Sequence, residues 1–152
     1  MIAGVLLRPR RQIRDDRGAV YHWWRADDPA FAGFGEAYFS VVNPGAVKAW
    51  KRHNRMTMVL SVPVGRVRFV LYDDRPDSPT RGQVQQVVLG EDADEYAALV
   101  VPPGIWNGFV GMASGPSLVG NCASIMHDPA ESDRLPADSP DIPYRWLSGD
   151  LS

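Results

Sequence analysis

Cysteine is almost missing from the sequence, since the 152 residues include only Cys122. A single cysteine excludes an internal disulfide and favours a reducing compartment, so a cytoplasmic protein is expected. Long apolar runs are missing too. The N-terminal stretch MIAGVLL is shorter than a membrane span and is followed too soon by arginines to be a signal peptide, so no membrane partner is expected.

The sequence also lacks a large excess of charge of either sign. Its formal net charge is −2, with 22% charged and 45% hydrophobic residues. Nucleic acids attract strongly basic surfaces, so general binding to nucleic acid is not expected. The composition is that of a globular protein, and 152 residues are enough for one domain, over residues 1–152, with a core of its own.

Turn-forming residues are abundant, with 14 glycines and 13 prolines separating short runs rich in β-branched and aromatic residues. This rhythm predicts an all-β fold, a jelly-roll-like β-sandwich barrel. The clearest alternation places Val67, Phe69 and Leu71 on one face of a strand. Strands are predicted over residues 19–24, 35–42, 47–51, 57–62, 66–72, 83–89, 96–101, 106–111 and 117–124.

Little helix is expected. The best candidate for a helical turn is 128–134, where Asp128 is an N-cap residue and Glu131 follows at the capping-box position. The segment 138–146 is rich in aromatic residues, so it is expected to pack against the sheets.

Residues 45–65 and 102–107 resemble the two metal-binding motifs of the cupin family in their glycine and proline spacing. The positions of the cupin metal ligands are filled here by Lys51, His53, Met58 and Asn107. A transition metal needs several imidazole, carboxylate or thiolate ligands that converge on it. An ammonium, a thioether, an amide and one imidazole make a poor set, so no metal and no cofactor is expected.

Five short motifs, in the same order along the chain, resemble the dTDP-4-dehydrorhamnose 3,5-epimerase family. They are DDRG (15–18), YDDRPDSPTRG (72–82), VPPGIWNGF (101–109), HDPAESDR (127–134) and DSPDIPYRW (138–146). The resemblance implies a metal-free, homodimeric enzyme of deoxysugar or surface-polysaccharide biosynthesis. Its substrate would be a nucleotide-linked 4-keto-6-deoxy sugar, epimerised or isomerised through an enolate.

The chain departs from that family at several catalytic positions. Lys51 stands where the family has its histidine base, and Met126 and His127 stand where it has a tyrosine pair. Asp138 or Ser139 falls where an aspartate partners the base. These replacements motivate an alternative, a non-catalytic cupin that binds sugar nucleotides or carbohydrate. A metal-dependent cupin is a third possibility.

The candidate catalytic residues are Lys51, His53 and Tyr38. Lys51 and His53 lie at i and i+2 of one strand, so their side chains share a face. Burial can make a lysine a competent base, and a histidine titrates near neutral pH without help. Tyr38, on a neighbouring strand, is the candidate acid.

Arg17 of DDRG matches the family position that contacts phosphate. The other candidate substrate contacts are Lys48, Trp50, Trp106, Asn107 and Asn121. All of these except Asn121 have a plain structural alternative: the lysines can be exposed ends of a hairpin, the tryptophans can be core residues, and Asn107 can cap the Pro-Pro-Gly turn.

Overall fold

The computed structural model describes residues 1–146, which form twelve strands and one short 3-10 turn and contain no α-helix. No helix in this range is long and apolar enough to cross a membrane. The strands are β1 (Leu6–Pro9), β2 (Gln12–Asp15), β3 (Gly18–Tyr21), β4 (Glu36–Val42), β5 (Val47–His53), β6 (Met58–Val64), β7 (Arg66–Asp73), β8 (Val84–Gly90), β9 (Ala97–Val101), β10 (Ile105–Gly111), β11 (Ser117–Ala123) and β12 (Ser132–Arg134), with the 3-10 turn at Pro129–Glu131.

Ten of these strands form two five-stranded antiparallel sheets. The first sheet has the order β1-β9-β6-β11-β4, and the second has the order β12-β5-β10-β7-β8. Strands β2 and β3 form a separate hairpin. The predicted all-β class and all nine predicted strands are confirmed, although β3 is shorter than expected. Strands β1, β2 and β12 were not predicted, because they are short or largely polar.

The main core lies between the two sheets. Strand β7 illustrates its origin, because Val67, Phe69 and Leu71 are fully buried there, as their alternation predicts. The intervening Val70 faces the other side of the second sheet. Each sheet therefore carries a regular set of inward-facing side chains, and polar residues at those positions come to line any space left between the sheets.

The C-terminal segment covers the outer face of the second sheet, as predicted. Tyr144 and Trp146 pack against the indole of Trp50, with ring centroids 6.1 and 5.3 Å away. Gly108 permits this contact, because a Cβ atom there would lie only 3.0 Å from the Trp146 ring. This packing anchors β5 and β10, the two strands of the second sheet that contribute most to the site described next.

Candidate active site

A cavity of about 540 Å³ lies between the two sheets. Its volume is in the range of small-molecule binding sites. The first sheet lines it with Tyr38, Ser40, Met58, Leu60, Val119 and Asn121, and the second lines it with Val47, Lys48, Ala49, Trp50, Lys51, His53, Asn107, Phe109, Arg134 and the adjoining Leu135. Polar groups thus face each other across a partly apolar space.

His53 is held by a carboxylate on one side of its ring. Its Nδ1 lies in hydrogen-bonding contact with Oε1 of Glu131, and both side chains are almost completely buried. The second carboxylate oxygen, Oε2, accepts hydrogen bonds from the backbone N–H groups of Asn54, Arg55 and Met56 at 3.2, 3.0 and 3.2 Å. The carboxylate is therefore fixed on both sides, and it fixes the imidazole in turn.

The electrostatics favour a neutral imidazole beside an ionised carboxylate. Burial lowers the pKa of His53, and the hydrogen bond and negative charge of Glu131 offset this only in part. Burial by itself would raise the pKa of Glu131, but hydrogen bonds from His53 and from backbone amides lower it below its usual value. A neutral imidazole with a lone pair available is the form that accepts a proton.

Lys51 shares this wall of the cavity and has a perturbed amine. Burial lowers the pKa of Lys51, the positive charge of Arg134 lowers it further, and Glu131 opposes both. Lys51 and Arg134 are register partners in the β5–β12 pair, so their side chains leave the same face of the sheet. The wall therefore combines one imidazole with three cationic side chains, because Lys48 lines it as well.

Tyr38 lies on the opposite wall and is oriented by Asn121. Its hydroxyl oxygen accepts a hydrogen bond from Asn121 Nδ2 at 2.9 Å, while Asn121 Oδ1 accepts one from the Val59 N–H at 3.1 Å. The Tyr38 hydroxyl is the acceptor in its hydrogen bond with Asn121, so its own proton can be donated to a group in the cavity. The site thus sets a proton acceptor and a proton donor on opposite sheets.

Comparison with known proteins places the chain in a family. A model of the dTDP-4-dehydrorhamnose 3,5-epimerase family matches residues 1–152. The chain belongs to that family. The membership confirms the resemblance seen in the five short motifs, and it confirms the expectation of an epimerase- or isomerase-like protein of nucleotide-sugar metabolism.

Three similar proteins span nearly all of the chain. A dTDP sugar isomerase of Desulfovibrio desulfuricans G20 is 48% identical, and its crystal structure superposes with a TM-score of 0.93 over 97% of this chain and 96% of that one. This likeness confirms the cupin-like jelly roll. The probable low-salt glycan biosynthesis epimerase Agl13 of Haloferax volcanii is 35% identical over 154 residues, covering 95% of this chain and 94% of the relative. The spore coat polysaccharide biosynthesis protein SpsL of Bacillus subtilis is 30% identical over 148 residues, covering 96% and 97%.

Several residues that were predicted from the sequence meet at the cavity. Lys51, His53 and Tyr38 line it together, and so do the predicted contacts Lys48, Asn107 and Asn121. Lys48 Nζ donates to Ser40 Oγ at 2.8 Å and to the Val41 carbonyl at 2.7 Å. The exposed Lys48 therefore bridges the two sheets.

Asn107 is fixed against β5, not against the Pro-Pro-Gly turn. Its Nδ2 donates to the Lys51 carbonyl at 2.8 Å, next to a bulge in the β5–β10 pair. Asn107 and Lys51 are register partners in this pair, so both side chains face the same cavity, and the register shifts only after them, at Gly108.

The two tryptophans have other surroundings. Trp50 contributes to the cavity wall, but its indole is buried in the outer aromatic cluster, and its Nε1 donates to the Ala137 carbonyl at 3.2 Å. Trp106 does not line the cavity; Arg52 stacks on its outer face at 4.6 Å. Adjacent residues of a strand point to opposite faces, so Trp106 is turned outward where Asn107 is turned inward.

Arg17 also lies away from the cavity. It is in the β2–β3 hairpin, exposed, and paired with Asp15 at 2.7 Å. Within one chain, the structure does not bring Arg17 together with the other predicted site residues.

Glu131 and Arg134 belong to the site but were not predicted as site residues. Glu131 was noticed only as a capping-box residue; the cap at Asp128 does form, but the Glu131 side chain points to His53, 78 residues away in the chain. The Asp138 and Ser139 candidates make no hydrogen bond to His53 or Lys51 within residues 1–146, so the carboxylate that partners the imidazole comes from another position. The same range contains no group of three or more His, Cys, Asp or Glu side chains able to hold a metal ion.

Proposed function

We propose that the protein epimerises or isomerises a nucleotide-linked 4-keto-6-deoxy sugar for the synthesis of a deoxysugar or surface polysaccharide. The observation that carries this proposal is the buried His53–Glu131 pair facing Tyr38 across the cavity. Proton removal next to a ketone requires a base and an acid placed in this way. The names of SpsL and Agl13, which refer to polysaccharide and glycan biosynthesis, support the same assignment.

The proposed reaction proceeds without a metal, through an enolate. His53 Nε2 takes the proton from a carbon next to the C4 ketone, and the electron pair moves onto the ketone oxygen. The Lys51 ammonium stabilises that negative charge. Tyr38 then donates its proton to the opposite face of the carbon, which inverts it, and exchange with solvent restores the starting protonation of His53 and Tyr38.

The diphosphate of the substrate is assigned to the cationic side chains at the cavity. Lys48 and Arg134 are both exposed and both line the cavity, so they can bind phosphate oxygens while the sugar occupies the space between the sheets. Arginine and lysine are the side chains that proteins use for this purpose. Binding there would place the sugar ketone near Lys51.

We further propose a cytoplasmic homodimer, in which Arg17 reaches the partner's cavity. Ile13 and Val20 on the β2–β3 hairpin are 45% and 60% exposed, and Phe39 on edge strand β4 is 65% exposed. Apolar side chains exposed in this way are typical of protein contact surfaces. Sedimentation equilibrium is expected to give twice the chain mass, and a monomer at working concentrations would contradict the proposal.

Deuterium exchange tests the reaction directly. The protein is incubated in D₂O with dTDP-linked and other nucleotide-linked 4-keto-6-deoxy sugars, and the products are analysed by mass spectrometry and NMR. Uptake of deuterium next to the ketone is expected. A substrate that raises the melting temperature but gains no deuterium would instead identify a non-catalytic binding protein.

Tyr38→Phe is expected to separate proton removal from inversion. Loss of the acid lowers epimer formation about 10²-fold, because acid catalysis of this kind contributes a factor of about 10² to 10⁴. His53 still removes and returns a proton, so deuterium enters with retained configuration. Ser40→Ala is the matched control on the same wall. Unchanged epimer formation in Tyr38→Phe would show that another group is the acid.

A further inference from the structure

The two oxygens of Glu131 have different partners, and this difference determines which nitrogen of His53 carries the proton. Oε2 receives three backbone N–H groups, which are always donors. Oε1 faces His53 Nδ1. An ionised carboxylate only accepts hydrogen bonds, so a proton on Nδ1 satisfies this contact and a lone pair on Nδ1 does not.

We infer that Glu131 is a positioning residue that fixes the proton of His53 on Nδ1 and leaves the Nε2 lone pair for the cavity. The catalytic consequence of this assignment rests on the proposed function, but the assignment itself does not. Glu131 is buried and does not line the cavity, so it acts through His53 and not on the substrate. A carboxylate that holds an imidazole in one tautomer is a recurring device in enzymes that use histidine as a base.

Glu131→Gln tests the assignment, because a carboxylate has two acceptor oxygens whereas an amide has one acceptor oxygen and one donor NH₂ group. The N–H groups of Arg55 and Met56 need an acceptor at this position, so the amide oxygen takes the place of Oε2. The NH₂ group then faces His53 Nδ1, which must become the acceptor. The proton of the neutral ring moves to Nε2, and the lone pair disappears from the cavity. The backbone contacts remain satisfied, so the variant is expected to fold.

Nitrogen NMR of protein labelled with ¹⁵N-histidine reads the tautomer without substrate. Above the pKa of His53, the wild-type ring is expected to carry its proton on Nδ1, and the Glu131→Gln ring on Nε2. The chain has three histidines, so His53→Asn assigns the signal, and His22 and His127 serve as internal references. Asp133→Asn is the matched control, because Asp133 lies two residues away and pairs with Arg52.

Turnover gives the second measurement. In Glu131→Gln, kcat is expected to fall by about 10² to 10⁴ with little change in KM, as for other enzymes in which a histidine is locked in the wrong tautomer. Glu131→Asp keeps a carboxylate and is expected to restore the Nδ1–H tautomer in part. A wild-type proton on Nε2, or an unchanged tautomer in Glu131→Gln, would overturn the inference.

The two readouts separate the inference from the proposed function. A tautomer shift without turnover of any 4-keto sugar would leave the positioning role in place and remove the assigned reaction. Turnover by the wild type, together with an unchanged tautomer in Glu131→Gln, would support the assigned reaction and remove the positioning role of Glu131.

Discussion

His53→Asn is expected to lower kcat for deuterium exchange and for epimer formation by about 10³. The asparagine NH₂ group can take the place of Nδ1 as donor to Glu131, so the buried carboxylate keeps a partner and the fold is preserved. What the variant lacks is Nε2, the proposed proton acceptor. The measurement is the rate of deuterium uptake under saturating substrate, together with a thermal melt of the variant.

The controls for this prediction are the other two histidines. His22 lies just beyond β3 and His127 lies in the exposed loop before the 3-10 turn. His22→Asn and His127→Asn are expected to retain turnover. If His53→Asn exchanges deuterium at nearly the wild-type rate, His53 is not the base, and the chemistry must be reassigned to Lys51.

The pH dependence of activity tests the same role of His53 as the base. A histidine base works only when it is neutral, so activity is present above its pKa and lost as the pH falls through that value. Burial lowers the pKa of His53. The acidic limb of kcat/KM is therefore expected below about 6.5, the ordinary value for histidine. An acidic limb above that value would contradict a buried, neutral base.

Much of the fold could be predicted because its signals are local. Glycine and proline mark the turns, and period-2 alternation marks the strands, as Val67, Phe69 and Leu71 show. The unpredicted strand β12 has three polar residues, Ser132–Arg134, and no alternation to reveal it. It exists because β5 offers an edge to pair with. That is a tertiary reason, which no local pattern contains.

The residues of the candidate site also differ in whether a local sequence signal or only a tertiary contact reveals them. Lys51 could be chosen because it stands at the base position of the family motif, and His53 because alternation places it on the same face. Tyr38 could be chosen because it lies on a neighbouring strand. The alternation rule also argued against choosing Trp106 and Asn107 together, since adjacent strand residues face opposite ways. Glu131 required the fold itself, because its contact with His53 joins segments 78 residues apart.

The role of Lys51 is decided by a pair of substitutions. Lys51→Met removes the positive charge and is expected to lower kcat by about 10² to 10³, the usual loss when one group that stabilises an oxyanion is removed. Lys51→Arg keeps the charge at nearly the same place and is expected to retain a large part of kcat. Deuterium uptake in all three proteins, with saturating substrate, is the measurement.

A base and a stabilising cation give opposite results in the arginine variant. Arginine does not give up its proton in proteins, so it cannot replace a lysine that accepts one. If Lys51→Arg is as inactive as Lys51→Met, Lys51 is the base. Lys48→Met serves as the comparison, because Lys48 is assigned to the diphosphate. Loss of that contact is expected to raise KM and not to lower kcat.

The alkaline side of the pH profile separates the same two roles. Burial and the charge of Arg134 lower the pKa of Lys51, so its positive charge is lost as the pH rises through a value below about 10.4. A stabilising cation thus produces an alkaline decline in kcat, whereas a base that must be neutral produces an increase over the same range. Lys51→Arg, which stays charged, is expected to move that decline to higher pH. A profile that rises with pH in the wild type would assign Lys51 as the base.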